Sequence, residues 1–279
     1  MRRPAVAGTF YEGDASSLRE QIEWCYTHSH GPGEVPRPLP GKRSLVGLVS
    51  PHAGYMYSGP VAAHGFAYMA RDGKPNSVVI LGPNHTGLGS GVSTMTSGEW
   101  LTPLGKVRID RQLAEAIRKE CDLIDVDELA HMHEHSIEVQ LPFLQHLFGQ
   151  DFTMVPICMM MQDEETSEEV GLAIAKAARD RDVVIIASTD LTHYEPQASA
   201  KVKDKKAIDK ILALDWRGLL RVVHQEGISM CGFGPVAAML RAARELGAER
   251  GELLKYATSG DTAGPMAQVV GYCSIAVTR

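Results

Sequence analysis

Five short runs of apolar residues constrain the fold of this chain more than any other feature of its sequence. The runs are apolar on both faces, which is typical of strands buried in a sheet that helices cover. We predict strands at Leu45–Val49, Val78–Leu81, Phe152–Ile157, Val183–Ala187 and Val269–Val277. A chain of 279 residues, 44% of them hydrophobic, is long enough to bury such a sheet.

Segments with helical patterns alternate with these runs. We predict helices at Ser16–Tyr26, Pro60–Ala70, Arg111–Cys121, Ser136–Phe148, Ser167–Arg179, Ala200–Leu214, Trp216–His224 and Pro235–Leu246. Alternating strands and helices indicate an α/β protein with three layers, α/β/α, around a mostly buried sheet that need not be purely parallel. We expect a single domain over residues 1–279, in which the proline- and glycine-rich stretch Gly31–Gly41 is a surface loop.

Charge and cysteine content exclude several classes of protein. The net charge is -6, whereas a nucleic-acid-binding protein normally has a basic face. No apolar run reaches the roughly 18 residues that a membrane-spanning helix needs. The five cysteines are scattered without a CxxC pair, which favours reduced thiols. We therefore expect a cytoplasmic protein with neither a nucleic acid nor a membrane as partner.

Three predicted strands each lead into a histidine. His52 follows the first strand in SPHAGYMYSG, His85 follows the second in LGPNHTG, and His193 follows the fourth in ASTDLTHY. Ligands of open α/β sheets bind at the carboxyl ends of the strands, so parallel neighbours would bring the three imidazoles together. A single histidine is more often a hydrogen-bonded core residue. Three at equivalent places favour a site that binds a metal or moves protons.

Cys231 and Asp190 are further candidates for the same site. Cys231 lies in ISMCGFGPVAAML, before a helix that Pro235 is expected to open. A helix N-terminus lowers the pKa of a thiol, and the thiolate binds metal, although a lone cysteine is more often a small buried apolar residue. Asp190, three residues before His193, can bind the metal, orient His193 or cap a turn.

The segment AHMHEHSIEVQLPF adds two candidates that would share a helix face, His135 and Glu138. They either line the pocket or form a surface pair. We expect His135 to act on the substrate, and Glu138 and Tyr55 to contact it.

The stretches that resemble a known family span nearly the whole chain. They are RRPAVAGTFYEGD, SPHAGYMYSG, LGPNHTG, TPLGKVRID, EHSIEVQLPF, STDLTHY and CGFGP. In these stretches the sequence resembles the Memo family, whose fold is similar to that of the class III extradiol dioxygenases of the LigB type. The resemblance implies that His52 and His85 are metal ligands, that His193 is the catalytic acid or base, and that His135 lines the pocket. Cys231 stands where those dioxygenases have a carboxylate ligand.

The resemblance implies a metal-dependent, dioxygenase-like redox protein. From the resemblance we expect Fe(II) as the metal. Cu and Zn are alternatives, because a thiolate ligand is softer than a carboxylate and favours these metals. The substrate would be a small molecule or a peptide. Ring-opening activity does not follow from the fold. Two alternatives stay open: a non-catalytic protein that binds a peptide or carries a redox metal, and a zinc-dependent hydrolase with His193 as base. Radical-SAM and AMMECR-type proteins are implied as pathway partners.

Overall fold

The computed structural model describes residues 1–41 and 43–279 and contains a mixed sheet of eleven strands. The strands are β1 Leu45–Ser50, β2 Ser77–Pro83, β3 Val92–Thr94, β4 Glu99–Thr102, β5 Gly105–Ile109, β6 Ile124–Val126, β7 Thr153–Met159, β8 Val183–Ser188, β9 His193–Glu195, β10 Arg250–Thr258 and β11 Val269–Thr278. Their main order is β10-β11-β1-β8-β2-β7-β3-β6, and β4, β5 and β9 pair at its margins.

The centre of the sheet is parallel, and this arrangement positions the site. Strand β8 lies between β1 and β2 and is parallel to both, and β2 is also parallel to β7. Ser50 pairs in register with Ser188, and Leu81 pairs with Ala187. The carboxyl ends of β1, β8 and β2 therefore lie side by side at one edge. All five predicted strands are present, and the antiparallel pairing of β11 with β1 makes the sheet mixed.

Helices flank the sheet. They are α1 Ala15–Thr27, α2 Tyr55–Asp72, α3 Arg111–Lys119, α4 Leu129–Met132, α5 Leu141–Phe148, α6 Glu164–Ala178, α7 Gln197–Leu212, α8 Trp216–Gln225, α9 Phe233–Glu245 and α10 Ser259–Thr262. Helices α1, α2 and α5 pack together against the sheet, and α3, α6, α8 and α9 form another packed group. The predicted α/β/α class is confirmed. Within the described residues, no helix is long and apolar enough to cross a membrane.

The predicted helix Ser136–Phe148 is wrong at its start. Residues Glu138–Gln140 form a single 3₁₀ turn, and the α-helix begins only at Leu141. Pro142 then occupies the first turn, where its missing N–H leaves no hydrogen bond unmade. The residues directly before the 3₁₀ turn form no regular helix, and two of them, Glu134 and His135, lie beside His85.

A continuous apolar core holds the strand ends rigid. Strands β1, β2 and β7 are almost entirely buried, and so is β8 after its first residue. Phe66 of α2 stacks on Phe143 of α5, with ring centroids 4.8 Å apart. Each fully buried aliphatic or aromatic side chain contributes about 1.5–3 kcal/mol. The loops at the carboxyl edge therefore start from fixed points.

Candidate metal centre at the carboxyl edge of the sheet

His52, His85 and Cys231 meet at the edge where β1 and β2 end. The ring centroids of His52 and His85 are 5.2 Å apart, and Cys231 Sγ lies 3.3 Å from His52 Nε2. One donor atom from each of the three side chains lies within 4.8 Å of the other two. The parallel strands thus bring together two of the three expected imidazoles, and Cys231 joins them from the loop before a helix. Among the described residues, this donor group does not include His193.

The three side chains fit a single metal ion. Zn–N and Zn–S bonds of about 2.0–2.3 Å in a tetrahedral site place neighbouring donors about 3.5 Å apart. The distance of 3.3 Å between Cys231 Sγ and His52 Nε2 is close to that spacing. Small side-chain movements would bring the donor atom of His85 to a similar distance from both. Two imidazoles and a thiolate suit zinc, copper and Fe(II).

His52 is held in the form that can bind a metal. Its backbone N–H donates to Asp190 Oδ1 at 2.9 Å, and its ring Nδ1 lies 2.8 Å from Ser188 Oγ. Burial lowers the pKa of His52 well below its usual value, and the neighbouring imidazoles of His135 and His85 add to this effect. The ring is therefore neutral at pH 7, as metal ligation requires.

Glu134 is a supporting residue that sequence reasoning missed. Its Oε2 accepts the backbone N–H of His85, and its Oε1 lies 3.0 Å from His85 Nδ1. Burial acts to lower the pKa of His85, but the hydrogen bond and charge of Glu134 outweigh burial and raise it. Burial also acts to raise the pKa of Glu134, yet hydrogen bonds from His85 and from the Ser136 amide bring it to about 2. The only sequence signal that could have identified Glu134 is its place between His133 and His135.

A second set of donors lies beside the first. His85, Glu134 and His135 also offer one atom each within 4.8 Å of one another. However, Glu134 Oε1 already accepts the N–H groups of His135 and Ser136, both at 2.8 Å. An ion bound there would displace these bonds, so the carboxylate is better suited to orient His85, as carboxylates do for many metal-binding histidines.

Cys231 lies two residues before α9, and hydrogen bonds hold its loop. Gln162 Nε2 donates to the carbonyl of Cys231 at 3.0 Å, while Gln162 Oε1 accepts the N–H of Gly234. The backbone N–H of Asp190 donates to Sγ at 3.2 Å. We expected the helix N-terminus to lower the pKa of this thiol. That expectation is wrong without a metal, because burial and the charge of Asp190 raise the pKa.

His193 is oriented by backbone carbonyls rather than by Asp190. Its Nδ1 lies 2.7 Å from the carbonyl of Leu191 and 2.8 Å from that of Ser229. Carbonyls only accept, so Nδ1 carries the hydrogen and Nε2 of the neutral ring keeps its lone pair. Asp190 instead accepts the His52 amide, and its Oδ2 lies 4.0 Å from His52 Nε2. Burial raises the pKa of the Asp190 carboxyl. The orienting role expected for Asp190 therefore applies to His52.

His135 lies beside two of the candidate ligands, His52 and His85. Its ring stacks on His85, with centroids 4.7 Å apart, and lies 5.4 Å from the ring of His52 and 4.6 Å from that of Phe10. Burial lowers the pKa of His135 to about 4, although the charge of Glu134 acts to raise it. At pH 7 this ring is neutral and can accept or donate a hydrogen bond.

Comparison with known proteins places the chain in a family. A family model described as "Memo-like protein" matches residues 2–276. The chain belongs to the Memo family. It is 55% identical over 280 residues to a MEMO1 family protein of Methanopyrus kandleri, with 100% of this chain and 99% of the relative covered. It is 52% identical to a MEMO1 family protein of Methanothermobacter thermautotrophicus, with 99% of each covered.

A solved structure supports the fold alone. An uncharacterized protein from Escherichia coli K12 matches with a TM-score of 0.56 and 14% sequence identity, covering 84% of this chain and 99% of that one. Such low identity carries no information about activity. The Memo family assignment thus rests on the sequence matches, and the geometry of the candidate metal site rests on this chain's own residues.

In this Memo family protein Glu138 is not free to contact a substrate, contrary to our expectation. The side chain is fully buried, and protein donors occupy both of its oxygens. Oε2 accepts Arg2 Nη1 at 2.5 Å and the N–H of Ala5, and Oε1 accepts the N–H of Val6 and the hydroxyl of Tyr11. Glu138 therefore anchors the N-terminal segment through residues 2–11.

The expectation for Tyr55 is also wrong. Its ring is buried at the start of α2, 4.9 Å from the ring of Phe143. Its hydroxyl donates to the carbonyl of Val139 at 2.7 Å. Tyr55 is thus a core residue that ties α2 to the 3₁₀ turn. The predicted start of this helix is also wrong, because α2 begins at residue 55 and not at Pro60.

Proposed function

We propose that this Memo family protein binds one metal ion through His52, His85 and Cys231 and uses it for redox chemistry on a small organic molecule or a peptide. The observation that carries the proposal is the convergence of one donor atom from each of these side chains within 4.8 Å. A bound Fe(II) or Cu ion would supply electron exchange with a substrate or an oxidant. The resemblance favours Fe(II).

The protein's own groups would position the substrate and move a proton. The Nε2 lone pair of His193 can accept a proton from a substrate hydroxyl or thiol, since two carbonyls keep the other ring nitrogen protonated. His135, neutral at pH 7, can hydrogen-bond to a substrate that lies beside His52 and His85. The His85 side chain is partly exposed, so a substrate could approach the candidate site from the side of His85.

Metal analysis of protein purified without oxygen tests the proposal. We expect about one equivalent of Fe, Cu or Zn in the wild type, and titration of metal-free protein with Fe²⁺ or Zn²⁺ should reach the same stoichiometry. His52→Ala and Cys231→Ser should bind far less. His133→Ala is the matched control, because His133 is an exposed histidine of the neighbouring loop. Equal metal content in His52→Ala and His133→Ala would refute the assignment of ligands.

The donor set also favours a second candidate, a zinc-dependent hydrolase. Two imidazoles and one thiolate are a tetrahedral Zn²⁺ set that leaves a fourth position open, and His193 can serve as the base. Native zinc together with cleavage of esters or amides would select this candidate. Iron or copper with oxidative turnover would select redox chemistry. Peptide binding without turnover of either kind would leave a binding protein.

A further inference from the structure

The hydroxyl of Ser188 is the centre of a buried hydrogen-bond network behind His52. Ser188 is the last residue of β8, and its side chain is fully buried. Its Oγ lies 2.6 Å from the carbonyl of Ser136, 2.9 Å from Gln140 Nε2 and 2.8 Å from His52 Nδ1. With three partners, the hydroxyl can donate only one hydrogen and must accept from the others.

Two backbone carbonyls determine the direction of every bond in this network. The carbonyl of Ser136 can only accept, so the single hydrogen of Ser188 points to it. The carbonyl of Pro51 also can only accept, and it lies 3.0 Å from Gln140 Nε2. This contact orients the amide of Gln140, whose second N–H then donates to Ser188 Oγ. The remaining partner, His52 Nδ1, must therefore donate.

We propose that Ser188, with its hydroxyl oriented by Gln140 and Ser136, is a positioning residue that holds His52 as the Nδ1–H tautomer. Nε2 then keeps the lone pair that faces Cys231 Sγ at 3.3 Å. The value of this tautomer for binding an ion rests on the proposed function. The tautomer itself is a property of the metal-free protein. His52 would thus be ready to bind before any ion arrives, without a proton having to move within the ring.

The chain offers a matched control on the neighbouring strand. Ser50 pairs in register with Ser188, and its side chain is equally buried. Its hydroxyl makes no hydrogen bond within residues 1–41 and 43–279. Ser50→Ala and Ser188→Ala therefore delete the same buried atom at the same level of the sheet, but only Ser188→Ala removes the acceptor of His52.

The tautomer is read from long-range ¹H–¹⁵N correlation spectra of metal-free protein, with the His52 signals assigned by comparison with His52→Asn. We expect the Nδ1–H pattern in the wild type and in Ser50→Ala. In Ser188→Ala, Nδ1 loses its acceptor, so the ring should change largely to the Nε2–H form. An Nε2–H pattern in the wild type, or an unchanged pattern in Ser188→Ala, would overturn the proposal.

A Zn²⁺ titration of the same proteins measures the consequence. Loss of such a supporting partner typically weakens metal affinity about 10–100-fold, and we expect this loss in Ser188→Ala but not in Ser50→Ala. Equal affinity of the two variants would overturn the positioning role. If the wild type binds no Zn²⁺, the proposed metal site fails, while the spectra still decide whether Ser188 sets the tautomer of His52.

Discussion

Arg2→Met should destabilise this protein far more than a change at its second residue would suggest. The Arg2 guanidinium is buried and pairs with Glu138. It also donates to the carbonyls of His131 and Glu134, at 2.7 and 2.6 Å, and lies 4.1 Å from the ring centroid of Trp100. Methionine approximately fills the volume, but it leaves the Glu138 charge without its partner.

The magnitude follows from burial. Removing one partner of a buried ion pair costs about 3–5 kcal/mol, because the other charge stays desolvated. Glu138 keeps three donors, from Ala5, Val6 and Tyr11, which favours the lower part of that range. A loss of about 3–4 kcal/mol, at about 2–4 °C per kcal/mol for a large domain, should lower the melting temperature by about 6–16 °C.

Urea unfolding at pH 7, followed by circular dichroism, measures the loss. Arg3→Met is the control, because Arg3 is exposed and its replacement should change the free energy of unfolding by less than about 0.5 kcal/mol. Combining Arg2→Met with Glu138→Gln removes the stranded charge, so the double variant should be at least about 2 kcal/mol more stable than the sum of the single losses predicts. If Arg2→Met loses no more stability than Arg3→Met, the buried ion pair does not stabilise the fold as we infer.

Three further predictions concern the site. Because burial raises the pKa of Cys231, the thiol must release its proton to bind an ion, so Zn²⁺ affinity should rise about tenfold per pH unit above about pH 7. Titration calorimetry in two buffers should detect this proton, and Cys231→Ser should not release it. Gly82→Ala would drive a methyl group into Ser136, so it should lower the melting temperature and weaken Zn²⁺ binding, whereas unchanged values would contradict the close approach. The folded-state pKa of Glu134, about 2, lies below its usual value, so the stability it contributes is present above about pH 4.5 and is lost as the pH falls towards 2. Glu134→Gln should flatten that part of the acid unfolding profile, and an equally steep profile would count against the assignment.

The central strands could be predicted because their residues admit few alternatives. Runs such as Val183–Ala187 are too short for a typical helix, apolar on both faces and rich in β-branched residues, so they fit only a covered sheet. Strand β10 was missed for the opposite reason. It lies at the edge of the sheet, and its sequence RGELLKYAT has exposed charged residues and no clear alternation. The extended conformation of an edge strand depends on its pairing with the neighbouring strand, and the strand's own sequence pattern does not reveal that pairing.

The candidate ligands could be predicted, but their supporting contacts could not. The sequence places His52 and His85 at the ends of predicted strands and Cys231 before a predicted helix, which is why all three could be named as candidates. The hydrogen bonds of Glu134 depend on a loop that folds back across the end of β2, and nothing within the loop's own sequence specifies that contact. The same limit explains the error at Glu138, because its partners come from the first eleven residues of the chain.

The bond between Arg2 and Glu138 joins positions separated by 136 residues. During synthesis on the ribosome, the segment that contains Arg2 must therefore wait until Glu138 has emerged before it can dock. Contacts of such long sequence separation close late and slow the folding of a domain. The Arg2 segment can thus take its final place only after residues 131–138, which it contacts, have been made.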